Sequence, residues 1–131
     1  MFGTSQARYA AATINTDGTG VYGIILFPDG VDIASSEVTT AGTVNSASNW
    51  TTKCTTAQWT ALVAKGCVFL PAAGYRSGTS VSGVSSYVCY WSSSYSSNYY
   101  AYYVRIFSST VDPQYSGDRH KGSSVRLVHP V

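Results

Sequence analysis

Few residues in this chain could do covalent or metal chemistry, and their spacing does not suit it. The two histidines, His120 and His129, stand alone, and no group of His, Cys and carboxylate has the spacing of metal ligands. No metal and no cofactor is therefore expected. Of the six carboxylates, only Asp112 and Asp118 share a region. A calcium site needs six or more converging oxygens, and Asp112-Pro113-Gln114 lacks the further acidic ligands for one. The serines include no GxSxG nucleophile elbow, and Gly18-Thr19-Gly20 belongs to a turn signal rather than to a phosphate loop before a helix. The three cysteines, Cys54, Cys67 and Cys89, are an odd number, and the one pair that could bridge is Cys54 with Cys67, on either side of an expected helix. Catalysis has no evident seat, and the chain is not expected to be an enzyme.

What remains is noncovalent recognition. Between Tyr87 and Val128 lie Tyr87, Tyr90, Tyr95, Tyr99, Tyr100, Tyr102, Tyr103 and Tyr115, most of the eleven tyrosines of the chain, among many serines. From Tyr99 to Phe107 the residues separate into two faces, because successive side chains of a strand point to opposite sides. Tyr100, Tyr102, Val104 and Ile106 fall on the face a core would take. Tyr99, Ala101, Tyr103, Arg105 and Phe107 fall on the other, which is expected to be exposed. Aromatic side chains around an arginine are the usual anchors of binding hot spots.

The elements that must hold this surface are read from local signals. At 131 residues the chain suits a single domain, 1–131, with one core. Charged residues are only 11% and the net charge is +2, too small and dispersed for a nucleic-acid footprint. No run of about 18 apolar residues exists, so no membrane insertion is expected. Arg8–Asn15 suits an edge strand, the turn signal at 17–20 follows, and Val21–Phe27 suits a strand buried on both faces. Val31–Lys53 reads as a long loop. Thr55 and Gln58 form a capping box, Trp59, Leu62 and Val63 recur at helical spacing as a core stripe, and Gly66 stops the helix, predicted over about 55–65. Cys67–Leu70 is a strand ended by Pro71, and Ala72–Gly83 is loop. Tyr87–Ser93 and Tyr99–Phe107 are strands joined by a tip. Ser108–Gly122 is an excursion bearing proline and glycine, and Ser123–Val128 is a closing strand with Val125 and Leu127 on one face. Short strands with one main helix and long loops make an α+β domain with antiparallel sheets.

Four blocks in order, GCVFLPAAGYRSGTS (Gly66–Ser80), YWSSS (Tyr90–Ser94), AYYVRIF (Ala101–Phe107) and GSSVRLV (Gly122–Val128), give the chain a resemblance to the Fibrobacter succinogenes major paralogous domain of Bacteroidetes surface proteins. That family resembles the C-type lectin fold, and several members look like variable proteins of diversity-generating retroelements. In these, reverse transcription misreads template adenines and rewrites a C-terminal stretch, typically at Asn codons. The resemblance implies a variable region of about 87–121. Its substitutable, ligand-binding positions would be Tyr95, Ser96, Ser97, Asn98 and Tyr99 at the tip, with Tyr103, Arg105 and Phe107 along the next strand. Asp112, Tyr115, Ser116, Asp118, His120 and Lys121 would follow. Except for Lys121, each type can be reached from an Asn codon by changing adenines; Gln114 departs as Lys121 does. Tyr87 and Cys89 suit either binding or scaffold, while Tyr90, Trp91, Tyr100 and Tyr102 read as scaffold. The family's kinship with the formylglycine-generating enzyme implies no activity here, because none of the three cysteines matches that reactive arrangement.

The expected role is a ligand-binding module, extracellular or at a cell surface as part of a longer chain, or on a phage tail. Its partner would be a protein ligand or receptor on a target surface, recognised through tyrosines that bury large area at low entropic cost. Two other classes remain open: a calcium-independent carbohydrate-binding module stacking sugars on the same aromatics, and a structural pilus or adhesin subunit.

Overall fold

The computed structural model describes residues 9–15, 19–30 and 53–127, which fall into two compact units, residues 1–71 and 72–131. Among the described residues, small, mostly antiparallel sheets and one short helix make up the structure, an α+β arrangement, and no helix is long and apolar enough to cross a membrane.

In the first unit, β1 (Tyr9–Asn15) and β2 (Gly20–Leu26) form the expected hairpin, with Tyr9 opposite Leu26 and Asn15 opposite Gly20. β1 is not an edge strand. It pairs on its other side with β3 (Lys53–Thr55) in parallel, so the sheet runs β3-β1-β2-β4. The run Ala10-Ala11-Ala12 is fully buried on both faces, and small side chains carry no period that would mark an edge. β2 departs from expectation in the opposite sense: Val21, Tyr22 and Leu26 are exposed. Helix α1 (Thr56–Ala64) has Thr55 as its N-cap, with both bonds of the capping box to Gln58 present, and Gly66 at φ +83° ends it in the left-handed region. Its core stripe is narrower than predicted, since Leu62 is buried and Trp59 packs against the core but Val63 is exposed. Ala10, Ala12, Ile14, Ile25, Phe27, Cys54, Leu62 and Cys67 form the core of this unit. β4 (Val68–Pro71) takes Pro71 as its last residue. Cys54, Cys67 and Cys89 are buried thiols, and the candidate bridge between Cys54 and Cys67 is not formed. The loop expected over 31–53 lies, apart from Lys53, outside the described residues.

The second unit has two three-stranded sheets. The segment expected as loop over 72–83 contains a small hairpin, β5 (Tyr75–Ser77) with β6 (Ser80–Ser82), its turn made by Gly78 at φ +59°. Three-residue strands are too short to show alternation, which is why turn chemistry dominated the reading. The second sheet has the order β7-β8-β9, from β7 (Tyr87–Tyr95), β8 (Tyr100–Phe107) and β9 (Thr110–Asp118). β9 occupies most of the predicted excursion from Ser108 to Gly122. Its proline and glycine are tolerated because β9 is an edge strand and Pro113 sits at a bulge, where Pro113 and Gln114 together face Val104. A second irregularity separates Trp91 from Tyr95, where the Ser92 hydroxyl donates to the Tyr102 carbonyl at 2.9 Å and accepts from the Ser94 amide at 3.2 Å.

The closing strand is shorter than expected. β10 (Gly122–Ser123) pairs with β5, and Ser124 bridges to β7, its amide donating to Cys89 O and its carbonyl accepting from Trp91 N–H, both at 3.0 Å. Beyond it Val125 and Leu127 are exposed, Leu127 at 90%, and they form no strand face.

Candidate functional site

The strand alternation predicted for β8 holds at its C-terminal end but not at Tyr100, which is assigned to the core face and is exposed and lines the same bowl as Tyr103. Ile106 is buried at 2% exposure and pairs with the fully buried Val88. Tyr103, Arg105 and Phe107 lie on the opposite side of the sheet, where their cross-strand neighbours are Trp91, Cys89 and Tyr87 on β7 and Tyr115, Asp112 and Thr110 on β9. That side is concave rather than flatly exposed: Tyr103 and Arg105 are half-buried by their neighbours, and Phe107 is 39% exposed. Alternation could assign the face, but not the curvature that bulges and an added hairpin give it.

The aromatic side chains interlock. Tyr103 meets Trp91 on one side and Tyr115 on the other edge-on, each at 5.3 Å between centroids. Tyr87 stacks on Phe107 at 4.3 Å and receives Tyr75 edge-on at 6.0 Å. The Arg105 guanidinium lies 3.6 Å above the centre of the Tyr115 ring and donates from Nη2 and Nε to Asp112 Oδ2 at 2.6 and 3.2 Å. Two glycines make room for this layer. A Cβ on Gly117 would stand 2.5 Å from Tyr103 Cε1, and one on Gly83, which also has φ +71°, would stand 2.5 Å from Tyr87 Cδ2.

The result is a bowl of about 430 Å³. Tyr75, Tyr87, Trp91, Tyr103 and Tyr115 give it aromatic walls and the buried Cys89 belongs to its floor. Arg105, Lys121 and Asp118 are its charged lining, with Tyr100, Ser116, Gly117 and Ser123 completing the surface. Lys121 Nζ pairs with Asp118 Oδ2 at 3.1 Å. Burial, reinforced by Cys89 and opposed by Arg105, pushes the Tyr103 phenol up to about 12, so it stays a neutral donor at physiological pH. Burial likewise raises the Cys89 thiol against the pull of Arg105, which keeps it protonated and unreactive. Desolvation pulls the Arg105 pKa down, but the bond to Asp112, together with the charge of Asp112 and the Tyr115 and Tyr103 phenols, outweighs this and leaves it raised.

The predicted site residues separate into two neighbouring groups. Tyr87, Tyr103, Arg105, Tyr115, Ser116, Asp118 and Lys121 line the bowl. Asn98, Tyr99, Asp118 and His120 line a second, shallower cavity at the tip, together with Tyr100 and Arg119; there Arg119 donates to the Asn98 carbonyl at 3.2 Å. Asp118 and Tyr100 border both. Tyr95, Ser96 and Ser97 line neither cavity, although Tyr95 and Tyr99 are 72% and 79% exposed. The amides of Ser96 and Ser97 donate to Tyr100 O and so shape the tip. Phe107 stacks outside the bowl, and Asp112 holds Arg105 from behind.

Sequence reasoning did not select Tyr75, Trp91, Tyr100 or Gly117 for the site and left Cys89 open between binding and scaffold. For Trp91 the signal was present: it has the same parity as Tyr87 and Cys89 on β7. Tyr75 had none, because it comes from a strand read as loop. No family model, curated protein or solved structure matches the chain.

Proposed function

We propose that this chain is a non-catalytic ligand-binding module of C-type lectin-like fold, carried on a longer surface or virion protein, which displays a diversified tyrosine- and serine-rich surface to a protein ligand. The observation that carries this reading is the concave aromatic layer on the side of β7-β8-β9 opposite Val88 and Ile106, continued at the tip by exposed Tyr95, Tyr99 and Tyr100. Core changes commonly cost several kcal/mol, whereas surface changes stay within about 0.5 kcal/mol. A stretch that tolerates rewriting must therefore keep the Val88 and Ile106 side fixed and vary the other. The positions named from the family resemblance on β8, Tyr103, Arg105 and Phe107, all lie on that other side. Tyrosine walls, two cations and two serine hydroxyls supply area and adaptable hydrogen bonds.

Sequencing downstream of the coding region tests the diversification directly. The expected result is a near-copy of the DNA encoding Tyr87–Val128 that differs only at adenines and lies beside a reverse transcriptase gene. Differences spread over all four bases would overturn it. Glycan-array binding that survives a chelator and is lost in Tyr103→Ala would instead favour the carbohydrate-binding reading.

A further inference from the structure

The charges around the bowl are arranged asymmetrically. Arg105 lines it, while its counter-ion Asp112 does not. Asp112 engages Nε and Nη2 through a single oxygen. A guanidinium has five N–H donors in a planar fork, and no acceptor among the described residues meets Nη1. The end-on edge, Nη1 with the second proton of Nη2, remains open to another planar acceptor. The remaining charged lining is Lys121 and Asp118, which pair with each other at 3.1 Å. The two ion pairs balance in total charge, so the preference of the bowl for an anion rests on the unused guanidinium donors of Arg105. Trp91, Tyr103 and Tyr115, in edge-on contact with one another, form a continuous aromatic wall of the bowl against which a flat group can lie.

Resting on the ligand-binding reading, we infer that the bowl recognises a carboxylate carried on a ring or similarly flat apolar group of the ligand, with Arg105 taking the carboxylate end-on and the tyrosine walls taking the flat body. Asp112 and the Tyr115 ring hold the guanidinium plane in place, so little freedom is lost on binding. An Arg-to-carboxylate contact of this bidentate kind is both stronger and more directional than a neutral hydrogen bond.

The test uses three probes that share a phenyl ring on the whole chain: benzoate, benzamide and benzylammonium, each titrated to tens of millimolar while amide and Trp indole resonances are followed by NMR. Expected are saturable shifts confined to bowl residues such as Trp91 and Tyr103, with benzoate binding about tenfold more tightly than benzamide and benzylammonium most weakly. Arg105→Gln should abolish the preference, so that benzoate binds no more tightly than benzamide to the same variant. Equal affinity for all three probes, or preference for benzylammonium, would overturn the inference about charge while leaving a binding bowl in place. Absence of any saturable shift in the bowl would overturn the inference and remove the support that the bowl gives to the binding reading; the search for the adenine-mutated template is independent of either result.

Discussion

Gly117→Ala is the sharpest probe of how the bowl is built. The added Cβ would lie 2.5, 3.3 and 3.4 Å from Tyr103 Cε1, Cζ and Cδ1, against ordinary carbon contacts of about 3.5–4.0 Å. The ring must therefore withdraw by about 1 Å, yet Trp91 and Tyr115 flank it at 5.3 Å on its two sides. Overpacking of this kind costs about 1–3 kcal/mol, and loss of glycine freedom in the unfolded chain returns about 0.4–1 kcal/mol. The net expectation is a destabilisation of about 1–2 kcal/mol, or about 3–8 °C in Tm for a chain of this size. The decisive measurement is the same substitution in a Tyr103→Ser background, by urea denaturation followed through near-ultraviolet circular dichroism. With the ring gone the methyl enters open space, and Gly117→Ala should become neutral or stabilise by up to about 1 kcal/mol. The two substitutions are then coupled by about 1–3 kcal/mol. An equal cost in both backgrounds would refute the idea that Gly117 exists to seat a large residue at 103.

Two further predictions concern the same sheet. The Tyr103 phenol has a folded-state pKa of about 12 against an unfolded value near 10, so its contribution is fully present below about pH 10 and lost as pH rises toward 12; urea midpoints should fall more steeply from pH 9.5 to 12 in the native chain than in Tyr103→Phe, and parallel slopes would exclude this. Phe107→Ser should cost about 1–2.5 kcal/mol, because it forfeits one stacked pair on Tyr87 and the partial burial of the ring. Ile106→Ser, at the adjacent buried position, should cost at least about 3 kcal/mol through a cavity and a buried hydroxyl. Comparable losses in denaturant titrations would mean that β8 does not separate a fixed side from a replaceable one.

The elements that carried a period or a cap were legible in the sequence, and those defined by pairing were not. Helix α1 was readable because Thr55, Gln58 and Gly66 act locally. The two faces of β8 were readable because Val104 and Ile106 interrupt the polar and aromatic run at every second position. β9 was missed because Pro113 and Gly117 signal a turn, whereas the edge position that makes them acceptable depends on where β8 lies. β1 was taken for an edge for the converse reason: its alanines say nothing of the strands on both sides. The site divided similarly. Tyr103 and Arg105 follow from type and parity and Tyr115 only from the family resemblance, while Tyr75 and the need for a glycine at 117 arise only when β5 and β9 come to the same cavity.

Half-burial of Tyr103 also changes what diversification at that position would accomplish. At a fully exposed position such as Tyr99, exchange of one side chain alters a single contact and leaves the surrounding surface as it was. Tyr103 instead holds Trp91 and Tyr115 apart and fills the space that Gly117 leaves. Replacing it with Ser would remove the ring between them and enlarge the bowl by roughly the volume of a phenol, while Asp112 would still hold Arg105 in place. Replacing it with His or Phe would keep the edge-on contacts and change only the donor at the rim. Changes at 103 and 115 would therefore act on the shape of the cavity, and changes at 95 to 99 on the chemistry of its approach. Because Asp118 and Tyr100 border both cavities, one ligand can span them. Under the proposed function, substitutions at 103 and 115 should then be coupled in their effect on affinity, as expected for side chains in contact, while tip substitutions should add to them independently, as expected for separated ones.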